Sequence, residues 1–249
     1  MIETTILRRV FESMKEDLPG LVAKVAKGDS GGSVTDLLAN SHRSIAVAEY
    51  VLNGSIQGFR DGLERSAQIE LDLILRYDAG DPPSLSLVAM TSGRQALVDA
   101  LASGNDGLAL KIAHKIGGRD EIEQGHDHPF DIAFGYALKA SVLRSDDLTQ
   151  RLDTLGEVVA EDENRDFSGH HTALVCLQSG ETSGRTDIFN SIIEGHKGQS
   201  KGGGIYQFTP EEYLCVPMIA YANLFISRGI QVDIDDPLLP AELLKSTTS

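Results

Sequence analysis

Residues 56–77, Ile56-Gln57-Gly58-Phe59-Arg60-Asp61-Gly62-Leu63-Glu64-Arg65-Ser66-Ala67-Gln68-Ile69-Glu70-Leu71-Asp72-Leu73-Ile74-Leu75-Arg76-Tyr77, decide the fold class. Apolar side chains recur at Ile56, Phe59, Leu63, Ala67, Leu71, Ile74 and Tyr77, in steps of three and four. That spacing puts them on one face of an α-helix of about six turns, because side chains three and four apart stack along a helix while those of a strand alternate every second residue. The same period runs outward in both directions. Ala96, Leu97, Ala100 and Leu101 begin another stripe, and Leu108, Ala109, Ile112, Ala113 and Ile116 a third. Helical patterns also cover Thr5 to Val25, Val34 to Leu52, Phe130 to Leu143, Leu148 to Val159, His171 to Leu177 and Pro210 to Ile226.

No run of Val, Ile and Thr alternates for long enough to predict a strand. Gly229 to Ile234 alternates briefly, and the acids and Pro237 that follow make it an extended tail. The breaks are short: Asn53-Gly54-Ser55, Ser103-Gly104-Asn105-Asp106 and Arg144-Ser145-Asp146-Asp147. Glycine there suits a left-handed helix end, and Ser, Asn or Asp the next helix start. Short connections make neighbouring helices antiparallel. The expectation is a single all-α domain over residues 1–249, with antiparallel helical hairpins stacked as an irregular bundle or a short α-solenoid. Lys27 to Ser33, Asp78 to Ser84 and the Gly-rich run Gly195 to Gly204 read as loops.

The chain has 249 residues, 22 Lys and Arg against 37 Asp and Glu, a net charge of −15 and a pI near 4.8. Nucleic-acid affinity comes from cations that displace phosphate counterions, so this balance excludes a nucleic-acid partner, and a polybasic membrane-surface role with it. The start, Met1-Ile2-Glu3-Thr4-Thr5-Ile6-Leu7-Arg8-Arg9, lacks the apolar core of a secretory signal. The most apolar stretch, Leu214 to Ile226, has 13 residues against the ~20 that a membrane span needs. Cys176 and Cys215 each sit in an apolar run and read as buried, reduced thiols. Together these predict a cytoplasmic protein.

Few residues suggest chemistry. His126-Asp127-His128 could offer two imidazoles and a carboxylate to a metal, with His170 or His171 as a distant partner. The competing assignment is a loop leading into a helix, with Pro129 in its first turn and Asp131 just inside. In Gly195 to Gly204, Lys201 precedes Gly202 where a phosphate loop needs Gly-Lys-Ser or Gly-Lys-Thr after a strand. There is no Gly-x-Ser-x-Gly elbow. Glu211 and Glu212 follow Pro210 at a helix start, where negative charge complements the helix dipole. No catalytic constellation emerges, so the chain is expected to be non-enzymatic and to need no cofactor. A metal-dependent hydrolase using His126, His128 and a distant carboxylate or His170 is the third functional reading.

Charge distribution says more. Arg119 to Asp166 holds 13 acids and 5 bases, a net of −8 over 48 residues. Asp146, Asp147, Glu161, Asp162, Glu163 and Asp166 are the candidate partner-binding residues, an acidic patch that would steer a basic protein partner.

The C-terminal order is Leu214-Cys215-Val216-Pro217, an apolar helix through Leu224 and Phe225, then Arg228-Gly229-Ile230 and Val232-Asp233-Ile234-Asp235-Asp236-Pro237. It closes on Leu238-Leu239-Pro240-Ala241-Glu242-Leu243-Leu244. This resembles the closing segment of the immunity 49 family of bacterial polymorphic-toxin immunity proteins, in which a helix ends in Arg-Gly, an acidic extended piece follows and a Leu-Pro-x-x-Leu-Leu tail packs back. The resemblance implies an all-helical fold and a role in neutralising a co-produced toxin, here a toxin domain with a basic surface, and assigns no site residues. A helical-repeat adaptor or scaffold binding another protein is the alternative.

Overall fold

The stripe of residues 56–77 forms helix α3 (Ile56–Asp78), and Phe59, Leu63, Ala67, Leu71 and Ile74 are all buried along it. In the computed structural model, which describes residues 4–180, 185–234 and 236–246, it has 23 residues, the same length as the first helix. Met1, Ile2, Glu3 and Asp235 lie outside the described residues. Before α3 come α1 (Thr4–Ala26) and α2 (Ser33–Asn53). After it come α4 (Met90–Ser103), α5 (Asp106–Lys115), α6 (Asp120–His126), α7 (Pro129–Leu143), α8 (Leu148–Val159), α9 (Ser168–Ser179), α10 (Arg185–Gln199) and α11 (Val216–Ile226). Single 3₁₀ segments sit at Leu85–Val88, Asp162–Phe167, Pro210–Tyr213 and Ala241–Leu243. Among the described residues there is no strand, only an isolated bridge between Asp236 and Leu239. The fold is all-α, and no described helix is long and apolar enough to cross a membrane.

Two of the three breaks work as their residues dictate. Gly54 ends α2 at φ 66°, and the Ser55 hydroxyl accepts the Gly58 N–H at 3.1 Å to start α3. Gly104 ends α4 at φ 86°, and Asn105 Oδ1 accepts the Leu108 N–H at 2.9 Å to start α5. The third differs. With no glycine available, Arg144 itself takes the left-handed conformation at φ 53°, and Asp147 makes no cap bond.

Successive helices pack as neighbours from α1 to α5 and from α7 to α10, α6 packs on the 3₁₀ segment Leu85–Val88, and α7 folds back onto both α4 and α5. Helix α11 completes the bundle by returning to α4. It is apolar on every side, so every residue from Val216 to Phe225 is buried. Its one polar core residue, Asn223, donates through Nδ2 to Leu101 O at 3.0 Å and Ala102 O at 3.1 Å in the last turn of α4, where Leu101 O also accepts the Gly104 N–H at 3.1 Å. Asn223 Oδ1 accepts the Lys245 N–H at 2.9 Å. Arg228 donates to Leu177 O at 3.3 Å and to Ser141 O, in the last turns of α9 and α7. The tail then straps the bundle. Leu239 and Leu243 are buried, Arg60 donates to Leu244 O at 2.9 Å, and the Tyr50 hydroxyl donates to Glu242 at 2.7 Å. Of the two arrangements open to the sequence, the closed bundle is the one formed.

Two loop and helix expectations need correction. The Gly-rich run is helical as far as Gln199, because Phe189, Ile192, Ile193 and His196 form a buried stripe on α10. Gly195 is required there: a β-carbon would lie 1.9 Å from the Asp166 carbonyl oxygen. The span Pro210 to Ile226 is two elements, not one helix. Leu214 is extended and Cys215 turns tightly between them, and Cys215 N–H donates to Leu238 O at 3.0 Å in the tail. Pro217, with no N–H and a ring that would strike a preceding helical carbonyl, fits only in the first turn of α11.

A buried charge cluster joins the layers. Arg43 of α2 forms an ion pair with Asp99 of α4, and its Nε donates to Glu211 Oε1 at 2.9 Å. Asp99 Oδ2 also accepts from the Ser66 hydroxyl of α3 at 2.9 Å, and the Glu211 carbonyl bonds His196 Nε2 of α10 at 2.8 Å. Glu211 therefore does not serve a helix dipole. Removing one partner of such a cluster strands a buried charge, so Arg43→Met is expected to cost about 3–5 kcal/mol in denaturant unfolding.

Glu70 of α3, also buried, is pushed up to about 8 from an ordinary 4.5, by burial first and the neighbouring Asp36 charge second. The folded state thus holds a proton that the unfolded chain has lost between those values, so stability falls as pH rises through that window. Glu70→Gln is expected to flatten this decline and to gain more than about 1 kcal/mol at pH 8, read from urea midpoints across pH.

Candidate partner-binding face

Helix α8 has the sharpest two-sided pattern near the acidic region. Leu148, Leu152, Leu155 and Val159 are buried, while Asp153 and Glu157 are exposed on the other side. Four-residue spacing sets Asp153 and Glu157 one turn apart, and the exposed Glu161 follows four residues later in the turn after the helix. Asp146 and Asp147 sit at the start of α8, and Glu161, Asp162, Glu163 and Asp166 beyond its end. Twelve helical residues separate the two groups by ~18 Å. They are not a compact patch but the two ends of one acidic row. Asp153 and Glu157 supply its middle, and their four-residue spacing was the signal in the sequence.

The individual acids differ in their surroundings. Asp147 accepts from the Ser145 hydroxyl at 2.6 Å and from Arg151 Nε at 2.8 Å, which hold its carboxyl below the usual carboxylate range. Asp146 is exposed. Glu161 accepts weakly from the buried Asn164 amide at 3.4 Å, and that amide also donates to Val158 O at 3.2 Å, pinning the turn to α8. Asp162 pairs with Arg165, and Glu163 lies 3.5 Å from His128 Nε2. Asp166 accepts from Gln199 Nε2 at 2.8 Å, which docks the turn on α10.

An apolar feature adjoins this turn. Ile205 and Phe208 are 63% and 74% exposed, the most exposed of the large apolar residues. The Ile205 N–H donates to Gln199 Oε1 at 3.4 Å, the same side chain that bonds Asp166, and the Phe208 N–H donates to Glu212 at 3.3 Å. Phe208 holds φ 65°, a left-handed conformation that its β-carbon disfavours. An aromatic ring set outward among acids is a natural interface anchor, and a loop reading of the Gly-rich run gave no means of finding it.

The metal-ligand candidates are dispersed. Asp127 accepts the Met90 N–H at 2.6 Å and the Thr91 N–H at 3.2 Å, capping the start of α4 from a distance. His128 caps α7, its Nδ1 accepting the Phe130 N–H at 3.2 Å, as the helix-start assignment required. His126 ends α6. His170 is buried among Phe130, Phe134 and Phe167, bonds the Tyr221 hydroxyl at 2.9 Å, and is pushed down to about 3 by burial. Among the described residues no group of three or more His, Cys, Asp or Glu is arranged to hold a metal ion. Cys176 and Cys215 are buried and not joined in a disulfide, and burial pushes the Cys215 thiol up to about 12, far from a nucleophile at neutral pH.

Comparison with protein-family models, curated proteins and solved structures finds no match.

Since the Phe208 ring packs on little and its backbone is strained, Phe208→Gly is expected to unfold at the same or a higher denaturant concentration, by up to about 1 kcal/mol. A clear loss of stability would show that the ring supports the fold.

Proposed function

We propose that this chain is a non-enzymatic, cytoplasmic immunity protein that binds and neutralises a bacterial toxin domain through the acidic face of α8 and the turn after it. The observation that carries the reading is the exposed row Asp153, Glu157 and Glu161, continued by Asp146 at one end and Asp162, Glu163 and Asp166 at the other. Asp153 and Glu157 are in no ion pair among the described residues, so their field reaches solvent and complements a basic surface. The resemblance of Leu214 to Leu244 to the immunity 49 family supplies the toxin context. The buried, neutral His170, the inert Cys215 and the structural work of Asp127 and His128 are in keeping with a protein that acts by binding.

The test is affinity capture of the tagged chain from its native cells at low salt, followed by identification of an equimolar protein and its expression with and without this chain. Growth arrest by the captured protein alone, relieved by this chain, is expected. A captured protein with no toxicity would favour the adaptor reading. With the partner in hand, the triple change Asp153→Lys, Glu157→Lys and Glu161→Lys is expected to weaken binding at least tenfold, about 1.4 kcal/mol, and to flatten its salt dependence. Unchanged affinity and salt dependence would remove this face from the account.

A further inference from the structure

Between α6, α7 and α8 lies a cleft of about 620 Å³, the size of pocket that receives one large side chain or a small ligand. Its apolar surface comes from Ile132 of α7 and Val158 of α8, and three carboxylates, Asp120, Glu123 and Asp127, line its α6 side. Glu123 is only 2% exposed. Its two oxygens accept the Arg119 N–H at 3.1 Å and the Tyr136 hydroxyl at 2.9 Å, and Asp127 accepts the two amides of α4. Those neutral donors orient the carboxylates without cancelling their charge. Among the described residues none of the three is in an ion pair.

Three cations stand nearby, none of them bonded to these carboxylates. Arg119 pairs with Asp78 at 2.9 Å, Lys139 donates to the Ile116 carbonyl at 2.6 Å within Coulombic reach of Glu123, and Arg151, which lines the cleft, pairs with Asp147 at 2.8 Å. Arg151 also displays the chemistry the cleft favours: its guanidinium lies 4.4 Å from the Tyr136 ring centre with a carboxylate on its Nε. An apolar surface for a methylene stem, and three carboxylates in no ion pair that outnumber the one cation lining the cleft, suit a planar, weakly hydrated guanidinium better than a strongly hydrated ammonium.

We infer that the α6–α7–α8 cleft is a binding site for an arginine side chain presented by the basic partner. The inference rests on reading this chain as a partner-binding protein, and it names the residue type that enters.

The experiment titrates the full chain with N-acetyl-arginine amide, followed by NMR, with N-acetyl-citrulline amide as the neutral probe of the same shape. Saturable shifts of the Tyr136 and Ile132 signals with the arginine probe, and none with citrulline, are expected. Thr154→Trp, which fills the cleft from an exposed position, and Asp120→Asn, which removes an exposed carboxylate, are each expected to weaken the arginine probe severalfold with unchanged melting temperature. Equal response to both probes, no saturable response, or indifference to both substitutions overturns the inference. Partner binding that responds to the α8 charge reversal and ignores Thr154→Trp sinks the cleft alone. Arginine binding in the cleft with a partner indifferent to the charge reversal sinks the acidic-face reading alone.

Discussion

The Arg43 guanidinium is the constraint around which the bundle is arranged. A cation at 8% exposure is tolerable only if carboxylates meet it in the interior, and the two that do, Asp99 and Glu211, arrive from distant parts of the chain. Their geometry fixes α2 against α4 and the turn Pro210–Tyr213 against both, while Ser66 adds α3 and His196 adds α10. Apolar packing already resists sliding of these helices, and the directional ionic cluster adds to that resistance, because any shift leaves charge buried without a partner. Glu70 feels the same guanidinium, which favours its charged form, but burial and the neighbouring Asp36 outweigh that pull and keep its proton on.

What could be read from the sequence follows from the range of the interactions. Helix α8 spans Leu148 to Val159 as its periodicity required, and α3 differs by one residue, because i and i+4 spacing is local information. Helix α10 was hidden although Phe189, Ile192, Ile193 and His196 keep the same spacing, since Gly195 and Gly198 carry a strong loop signal. Only the contact with Asp166 explains glycine inside that helix. The break at Leu214 and Cys215 depends on the tail that bonds Cys215, and the Arg43 cluster joins residues 168 positions apart. Neither has a local signature. The acidic residues themselves were legible, but their arrangement into a row needed Asp153 and Glu157, which composition alone does not single out from other surface acids. The His126-Asp127-His128 cluster shows the reverse error: of three adjacent metal-ligating residue types, Asp127 and His128 serve two helix starts and His126 ends a helix.

The acidic face and the arrangement beneath it are linked. Helix α8 is thin cover: it contributes Leu148, Leu152, Leu155 and Val159 to the core, Arg151, Gly156 and Val158 are half-buried beside them, and the rest of it faces solvent. A chain with a net charge of −15 repels itself wherever acids gather, so a concentration of them on one short helix lowers stability unless another demand keeps it there. The cleft beside α8 has the same character, with carboxylates oriented by neutral amides and a phenol rather than by cations. Both features leave negative potential available to something outside the chain.

The closing segment bears on how the protein comes into being. Asn223 and Arg228 satisfy the last carbonyls of α4, α7 and α9, and α11 fills the space beside α4. All of these partners are synthesised earlier than the residues that complete them. During translation the apolar flank of α4 therefore waits uncovered, with three helix ends still solvated, until the segment 214–244 has left the ribosome. The bundle is completed only by its last segment, so a chain that ends short of it leaves that apolar flank exposed.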